Sequence, residues 1–293
     1  MNPKVSVLMP IYNTDVLYLK EAVESVLKQT FADFEFLIIN DASTEVDIEA
    51  VIKSYKDERI KYLVNEKNLG ISASRNKLIE LSKGQYIAAI DHDDIALPNW
   101  LTKEVQYLDE NLDFGVVSCW RKRIVSGSFQ RFLVDDENIK LSLLTACEIG
   151  HSGVLIRKSV LIDNNIKYEE EFFPAEDHAL FCRLIPFTNF HNINQILFHY
   201  RDHQLNISTM IAEKMRIADF KVCSFVQKDN PYLCQKRNRT VPKITYIRLF
   251  GFIPFLRIVK TLRKNKIYLF YVLLIFTYKT REKLENLMLG GKL

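Results

Sequence analysis

Apolar residues in the first 120 positions fall into runs of two kinds. Val5–Met9, Phe34–Ile39, Ile60–Val64, Tyr86–Ile90 and Val116–Trp120 are short stretches rich in β-branched and aromatic residues. Runs of that length predict strands, and the near-continuous apolar ones predict strands covered on both faces. Between them the apolar positions spread out. Leu19, Ala22, Val23, Val26 and Leu27 recur at helical intervals behind Asp15, which can cap a helix running to about Gln29. Asp47–Tyr55, Ser72–Ser82 and the stretch from Pro98 to about Asn111 read as further helices. Proline near a first helical turn supports the last of these. The resulting β-α-β-α-β-α-β-α-β order predicts an α/β fold, a mostly parallel sheet flanked by helices. Beyond residue 120 the pattern loosens: Cys147–Ile156 and Ile193–Tyr200 read as strands and Asp177–Leu184 as a helix.

The run Tyr86–Ile90 leads directly into Asp91-His92-Asp93-Asp94. Three acids within four residues repel one another, so a positive partner is expected beside them. Carboxylate oxygens suit Mg²⁺ or Mn²⁺, and ligands of open α/β sheets bind beyond the carboxyl ends of the strands. A solvated acidic turn before the Pro98 helix is the plain alternative. No G-x-G-x-x-G follows the first strand, so a dinucleotide-binding domain has no support in the sequence.

The 293 residues, 48% apolar and 26% charged, suit one large domain or a domain with an appendage. Five scattered cysteines without a C-x-x-C point to reduced thiols rather than to disulfides or structural zinc. MNPKVSVLMPIYN lacks the pattern of a signal peptide, so a cytoplasmic location is expected. The formal charge of +4 conceals a division. Residues 1–234 carry 26 Lys/Arg against 34 Asp/Glu, whereas residues 235–281 carry 12 Lys/Arg and no acid. A body of residues 1–234, with halves of about 1–120 and 121–234, and a basic tail of residues 235–293 are therefore expected. In the tail, Ile247, Leu249, Phe250 and Phe255 interleave with Arg248, Arg257 and Lys260, and Ile267–Tyr278 is an apolar run of 12. That is short of the ~20 residues needed to span a bilayer. An amphipathic helical tail on an anionic membrane surface is the expectation. Nucleic-acid binding ranks behind it, because the tail is so aliphatic and the body acidic. Packing of Ile267–Phe276 on the body, or burial of the tail in a homodimer interface, stays open.

Six pieces of the sequence occur in a telling order. They are Pro10-Ile11-Tyr12-Asn13; Asn40-Asp41-Ala42-Ser43; Asn68-Leu69-Gly70 with Ala73-Ser74-Arg75-Asn76; Asp91-His92-Asp93-Asp94; Ala175-Glu176-Asp177-His178-Ala179-Leu180; and Tyr200-Arg201-Asp202-His203 with Ser208. Together they resemble the family 2 inverting glycosyltransferases of the GT-A fold, over residues 4–210. The resemblance implies a nucleotide-sugar donor linked to uridine diphosphate, carrying a hexose or N-acetylhexosamine, and a hydroxyl acceptor on a glycan or lipid-linked glycan.

It also implies roles. Asp93 would bind Mn²⁺ or Mg²⁺ directly and His203 would complete the shell. Asp91 would contact the ribose, and Asp41 would read the base. Pro10 and Tyr12 would shape the nucleoside pocket, and Arg75 would face the diphosphate. Asp177 would be the general base that inversion requires, with Glu176 and His151 near the acceptor. Asp41 in an Asx turn, Asp94 as a capping carboxylate and Asp177 as an ordinary first-turn acid are the structural alternatives. Two rival functions keep the same fold. A sugar nucleotidyltransferase would bring a glycine-rich basic loop, and MPIYNTD has neither glycine nor lysine. A non-catalytic nucleotide-sugar-binding protein would not require the full carboxylate set.

Overall fold

A computed structural model of the chain describes residues 2–45, 47–203, 210–240, 246–249 and 253–257. Strands β1 (Val5–Ile11), β2 (Phe34–Asn40), β3 (Ile60–Val64) and β4 (Tyr86–Ala89) pair in parallel in the order β3-β2-β1-β4. Every residue of β1, β2 and β4 is buried, as strands sandwiched between helices should be. The connecting helices are α1 (Val16–Leu27), α2 (Ile48–Lys53) and α3 (Ile71–Leu81). Asp15 caps α1 through the Leu17 amide at 2.7 Å, and Asp47 caps α2 through the Ala50 amide at 3.0 Å. Helix α4 (Trp100–Glu110) turns Trp100, Leu101, Val105 and Leu108 into the core shared with β1, β2 and β4.

Past β4 the sheet becomes mixed. A two-residue strand β5 (Ile95–Ala96) follows the acidic loop and crosses to pair with β9 (Asn189–Tyr200). Strand β6 (Phe114–Arg123) runs parallel to β9, while β7 (Phe129–Gln130) folds back on β6. Strand β8 (Val154–Arg157) lies antiparallel between β4 and β6. The path β3-β2-β1-β4-β8-β6-β9-β5 is thus mostly parallel, with β8 and β5 reversed. Helices α5 (Asp136–Leu143), α6 (Lys158–Asp163), α7 (Glu176–Leu184) and α8 (Ala212–Asp229) complete the larger unit.

The strand expected over Cys147–Ile156 is mostly a turn. Only Val154 onward is extended, because Gly153 adopts a φ of +100° that ends the turn. That turn carries His151 and Ser152 under the acidic loop. Two compact units divide between Pro231 and Tyr232, a few residues before the expected boundary at 234. Helix α9 (Pro231–Thr240) starts at that proline, a residue suited to a first turn. In the tail, strands β10 (Tyr246–Leu249) and β11 (Ile253–Arg257) pair antiparallel, with Leu249 opposite Ile253. Gly251 and Pro254 interrupt any continuous helix over this stretch, and the β-branched and aromatic residues around them favour strands. Ser208, Phe250 and the apolar run Ile267–Tyr278 lie outside the described residues. No helix among the described residues is long and apolar enough to cross a membrane.

Candidate active site

The carboxyl ends of β1, β2 and β4 meet the N-terminus of α7 at one place. The loops after β1 and β2 are tied to each other first. The Asn13 amide donates to Ser43 Oγ at 3.0 Å, and the Thr44 amide donates to Asn13 Oδ1 at 2.9 Å. Asn13 and Ala42 both take positive φ, 41° and 59°, an uncommon backbone for side chains that bear a Cβ. Tyr12 projects from the first loop with 46% of its surface exposed. Asp41, buried at the end of β2, accepts from Asn65 Nδ2 (2.7 Å), the Leu69 amide (2.9 Å) and the Gly70 amide (2.9 Å). It is not a local Asx turn. It clamps the Asn68-Leu69-Gly70 loop to strand β2, and Gly70 meets it with a φ of +87°. A carboxylate has about four acceptor sites, so three donors leave room for one more.

Arg75, on α3, is the hinge between the two halves. Its guanidinium donates to Glu176 Oε1 at 2.7 Å and to Asp91 Oδ1 at 3.1 Å. Burial alone would lower its pKa, but Asp91 and Glu176 together raise it, so it is charged at all working pH. It also lies over the Tyr168 ring, 5.4 Å from the centroid. Pro10, Arg75, His151 and Tyr168 line a closed cavity of about 10 Å³ behind these groups. Burial would raise the Asp91 carboxyl, yet Arg75 holds it below the ordinary value. The Asp91 amide donates to Ser152 Oγ at 3.1 Å.

Asp93 and His203 are brought together across 110 residues of chain: Oδ2 and Nε2 are 3.0 Å apart. An oxygen and an imidazole donor at that separation fit Mn²⁺. Among the described residues no group of three His, Cys, Asp or Glu gathers as a metal cage. Asp94 is fully buried and caps no helix. It accepts from the Arg201 amide at 2.8 Å, and burial, followed by Asp93, raises its pKa well above the carboxylate range. Arg201 Nε also donates to the Asp93 carbonyl at 2.8 Å, and its guanidinium pairs with Glu21.

Asp177 is half-buried in the first turn of α7 and accepts from the His178 amide at 2.7 Å. Burial raises its pKa and Arg75 only partly opposes this. Glu176 is raised likewise, first by burial. Two expectations shift here. Glu176 is 5% exposed and braces Arg75, because its neighbour on the helix, Asp177, takes the outward position. His151 is 6% exposed and lies beneath the acidic loop, with Nε2 2.7 Å from Tyr168 Oη, so neither of these two residues lines an open acceptor surface. Burial, then Arg75, depresses the His151 pKa to about 3, which keeps the ring neutral. Tyr168, Asn65, Ser152 and Arg201 were given no role by the sequence. Arg201 was detectable, since it stands inside the Tyr200-Arg201-Asp202-His203 motif. Tyr168 carried no local signal.

Acid-lined loops at the carboxyl ends of a mostly parallel sheet, facing a helix that begins with two acids, define a GT-A-type transferase. The chain belongs to glycosyl transferase family 2, whose model matches residues 6–183. It is 35% identical over 240 residues to an uncharacterized glycosyltransferase of Methanocaldococcus jannaschii, covering 79% of this chain and 82% of that protein. It is 30% identical over 210 residues to the Escherichia coli UDP-Glc:alpha-D-GlcNAc-diphosphoundecaprenol beta-1,3-glucosyltransferase WfgD, covering 70% and 79% of the two chains. Among solved structures it resembles S. aureus TarS 1-349 in complex with UDP-GlcNAc, with a TM-score of 0.62 and 20% identity over 82% of this chain and 76% of that one.

Proposed function

We propose that this glycosyltransferase moves a hexose or N-acetylhexosamine, with inversion, from a uridine diphosphate donor to a hydroxyl of a lipid-linked glycan, as in lipopolysaccharide or capsule assembly. The observation that carries the reading is the ion-pair chain Asp91–Arg75–Glu176. It joins the acids after β4 to the first turn of α7, which supports a place for Asp177 beside a bound donor. The relative that acts on a diphosphoundecaprenol-linked sugar supports the acceptor class.

In this reading the exposed Tyr12 ring stacks on the base, and the remaining acceptor site of Asp41 takes a base N–H. Asp93 and His203 hold Mn²⁺ or Mg²⁺, which when bound offsets charge on the diphosphate as a Lewis acid. Asp177 removes the proton of the acceptor hydroxyl as its oxygen bonds to the anomeric carbon. The bond from that carbon to the diphosphate oxygen breaks on the opposite face, which inverts the centre. A raised pKa suits the task, because a base titrating nearer the working pH transfers protons more effectively. Residues 1–234 would form the catalytic domain. The basic excess of residues 235–281 supports attachment of the tail to the cytoplasmic face of an anionic membrane.

The test is thermal stabilisation of the purified chain by nucleotide-sugars with Mn²⁺, since a ligand of the folded state raises Tm. A rise with one uridine diphosphate-sugar, lost on chelation and in Asp93→Ala, is expected. No rise with any nucleotide-sugar would sink the donor reading.

A further inference from the structure

Arg121 and Arg123 stand at the end of β6, and neither has a role in the site described above. In the β6–β9 register Arg121 is opposite Phe198 and Arg123 opposite Tyr200. Both guanidiniums lie against the Tyr200 ring, 4.3 Å and 5.8 Å from its centroid. Arg121 Nε donates to Gln130 Oε1 at 2.9 Å, which fixes the direction of the fork. Other arginines of the larger unit are neutralised: Arg59 by Asp57, Arg183 by Glu169 and Arg201 by Glu21. Among the described residues no carboxylate lies within 4.0 Å of Arg121 or Arg123. Asp202, close in sequence to Tyr200, accepts instead from the amides of Val125 (2.8 Å) and Ser126 (3.2 Å). A stacked, oriented guanidinium without an anion is matched to phosphate oxygens, which it can take two at a time.

The two arginines share one face of the hairpin with Gln130 and Tyr200, while Lys122, over the Phe129 ring at 5.9 Å, and Arg131, over Trp120 at 5.7 Å, occupy the other. No acid occurs between Arg121 and Val134. Beyond Arg123 the character changes, with Val125 69% exposed. Arg121 and Arg123 followed by Val125 match the order of groups in an alkyl diphosphate. The position is right as well. When a sugar is joined directly to a diphosphate, its phosphates lie about one sugar ring from a reacting hydroxyl. Neighbouring strands are about 4.8 Å apart, so cations on β6 stand one strand from the segment of β9 that leads into Arg201 and His203.

We propose that the β6–β7 hairpin is an acceptor subsite for a diphosphate ester, in which Arg121 and Arg123 bind the diphosphate and Val125 meets the alkyl chain. The inference rests on the glycosyl-transfer reading and adds to it the chemical class of the acceptor's anchor.

Calorimetric titration of the full chain with decyl diphosphate, with and without saturating UDP and Mn²⁺, tests it. Decyl diphosphate is expected to bind the UDP-loaded protein. Arg121→Gln with Arg123→Gln should weaken it at least about tenfold, as expected for losing two charge-assisted bonds, while UDP binds as before. Arg123→Gln alone should move in the same direction and guards against a folding defect. Unchanged binding to the double variant, or binding only when UDP is absent, would overturn the proposal. So would an equal loss of binding to phosphatidylglycerol vesicles, which would make the hairpin a general anionic-surface contact. Failure of the donor reading would show separately, as absence of UDP binding to wild-type protein, and decyl diphosphate would then be titrated on the nucleotide-free chain.

Discussion

The two sides of Arg75 are held by different means. Toward β1–β3 most polar groups are matched, Ser72 Oγ excepted: Asp41 receives three N–H donors, and the loops at Asn13 and Ser43 bond each other. Toward α7, buried groups keep unmet capacity. Arg75 Nε, Glu176 Oε2 and His151 Nδ1 have no protein partner among the described residues. Matched groups fix one shape, which suits a ligand portion of constant form such as a nucleoside. Unmatched buried groups carry a desolvation cost that a substrate can relieve, and their protonation can be tuned. In the proposed function, recognition and proton transfer would thereby fall to separate halves, joined through one guanidinium.

The largest expected effect comes from the α7 side. Asp177→Asn should lower kcat by about 10²–10⁴-fold, the range for a general base, while stabilisation by the uridine diphosphate-sugar persists. Near-normal turnover would remove the base assignment and with it half of the comparison. The acidic limb of the wild-type rate profile should also lie above the ordinary aspartate range. As the proposed base, Asp177 would work deprotonated, and its pKa is raised, so activity should be lost as pH falls through that raised value.

Arg75→Ala strikes the joint itself. It leaves Asp91 and Glu176 without their shared cation, and removing one partner of a buried pair costs about 3–5 kcal/mol. Denaturant unfolding should show that loss, and Arg75→Lys should restore less than half of it, because an ammonium cannot span both carboxylates. On the matched side, Asp41→Asn turns one acceptor into a donor that faces an N–H. A loss of about 1–3 kcal/mol is expected, together with weaker donor binding and an unchanged Asp177 pH limb. A shifted limb would show that the halves are not separate.

A smaller effect calibrates burial away from the site. Glu104 is buried in α4 and accepts from Trp100 Nε1 at 2.8 Å, and burial raises its pKa well above the usual range. A raised carboxyl stabilises the fold fully below its unfolded pKa, and that contribution is lost as pH rises toward the folded value. Glu104→Gln has no such loss. Its Tm relative to wild type should therefore climb between pH 5 and pH 9, and a constant difference would show that burial is not setting this group.

The donor half was legible because its signals are local. Strand and helix periods, the caps Asp15 and Asp47, and the acids after β4 each declare themselves within a few residues. The second half is built from distant pairs. Nothing near Arg75 indicates Glu176, 101 residues away, or shows that Asp93 meets His203. The strand expected at Cys147 failed because apolar residues there cover a turn whose path Gly153 decides. Helices α5 and α6 are short and were missed. In the tail, aromatic and β-branched residues between cations fit a helix face and a strand pair equally well, so the pattern there does not choose between them.

Arg201 sets a limit on how this enzyme can be divided. The stretch that matches the family model ends at residue 183, yet Arg201 grips Asp94 and the Asp93 carbonyl and reaches Glu21 on α1. A chimera spliced where the family likeness stops would inherit the acids without their latch. The smallest portable unit runs from β1 through His203 and must bring Glu21 and Arg201 from the same parent.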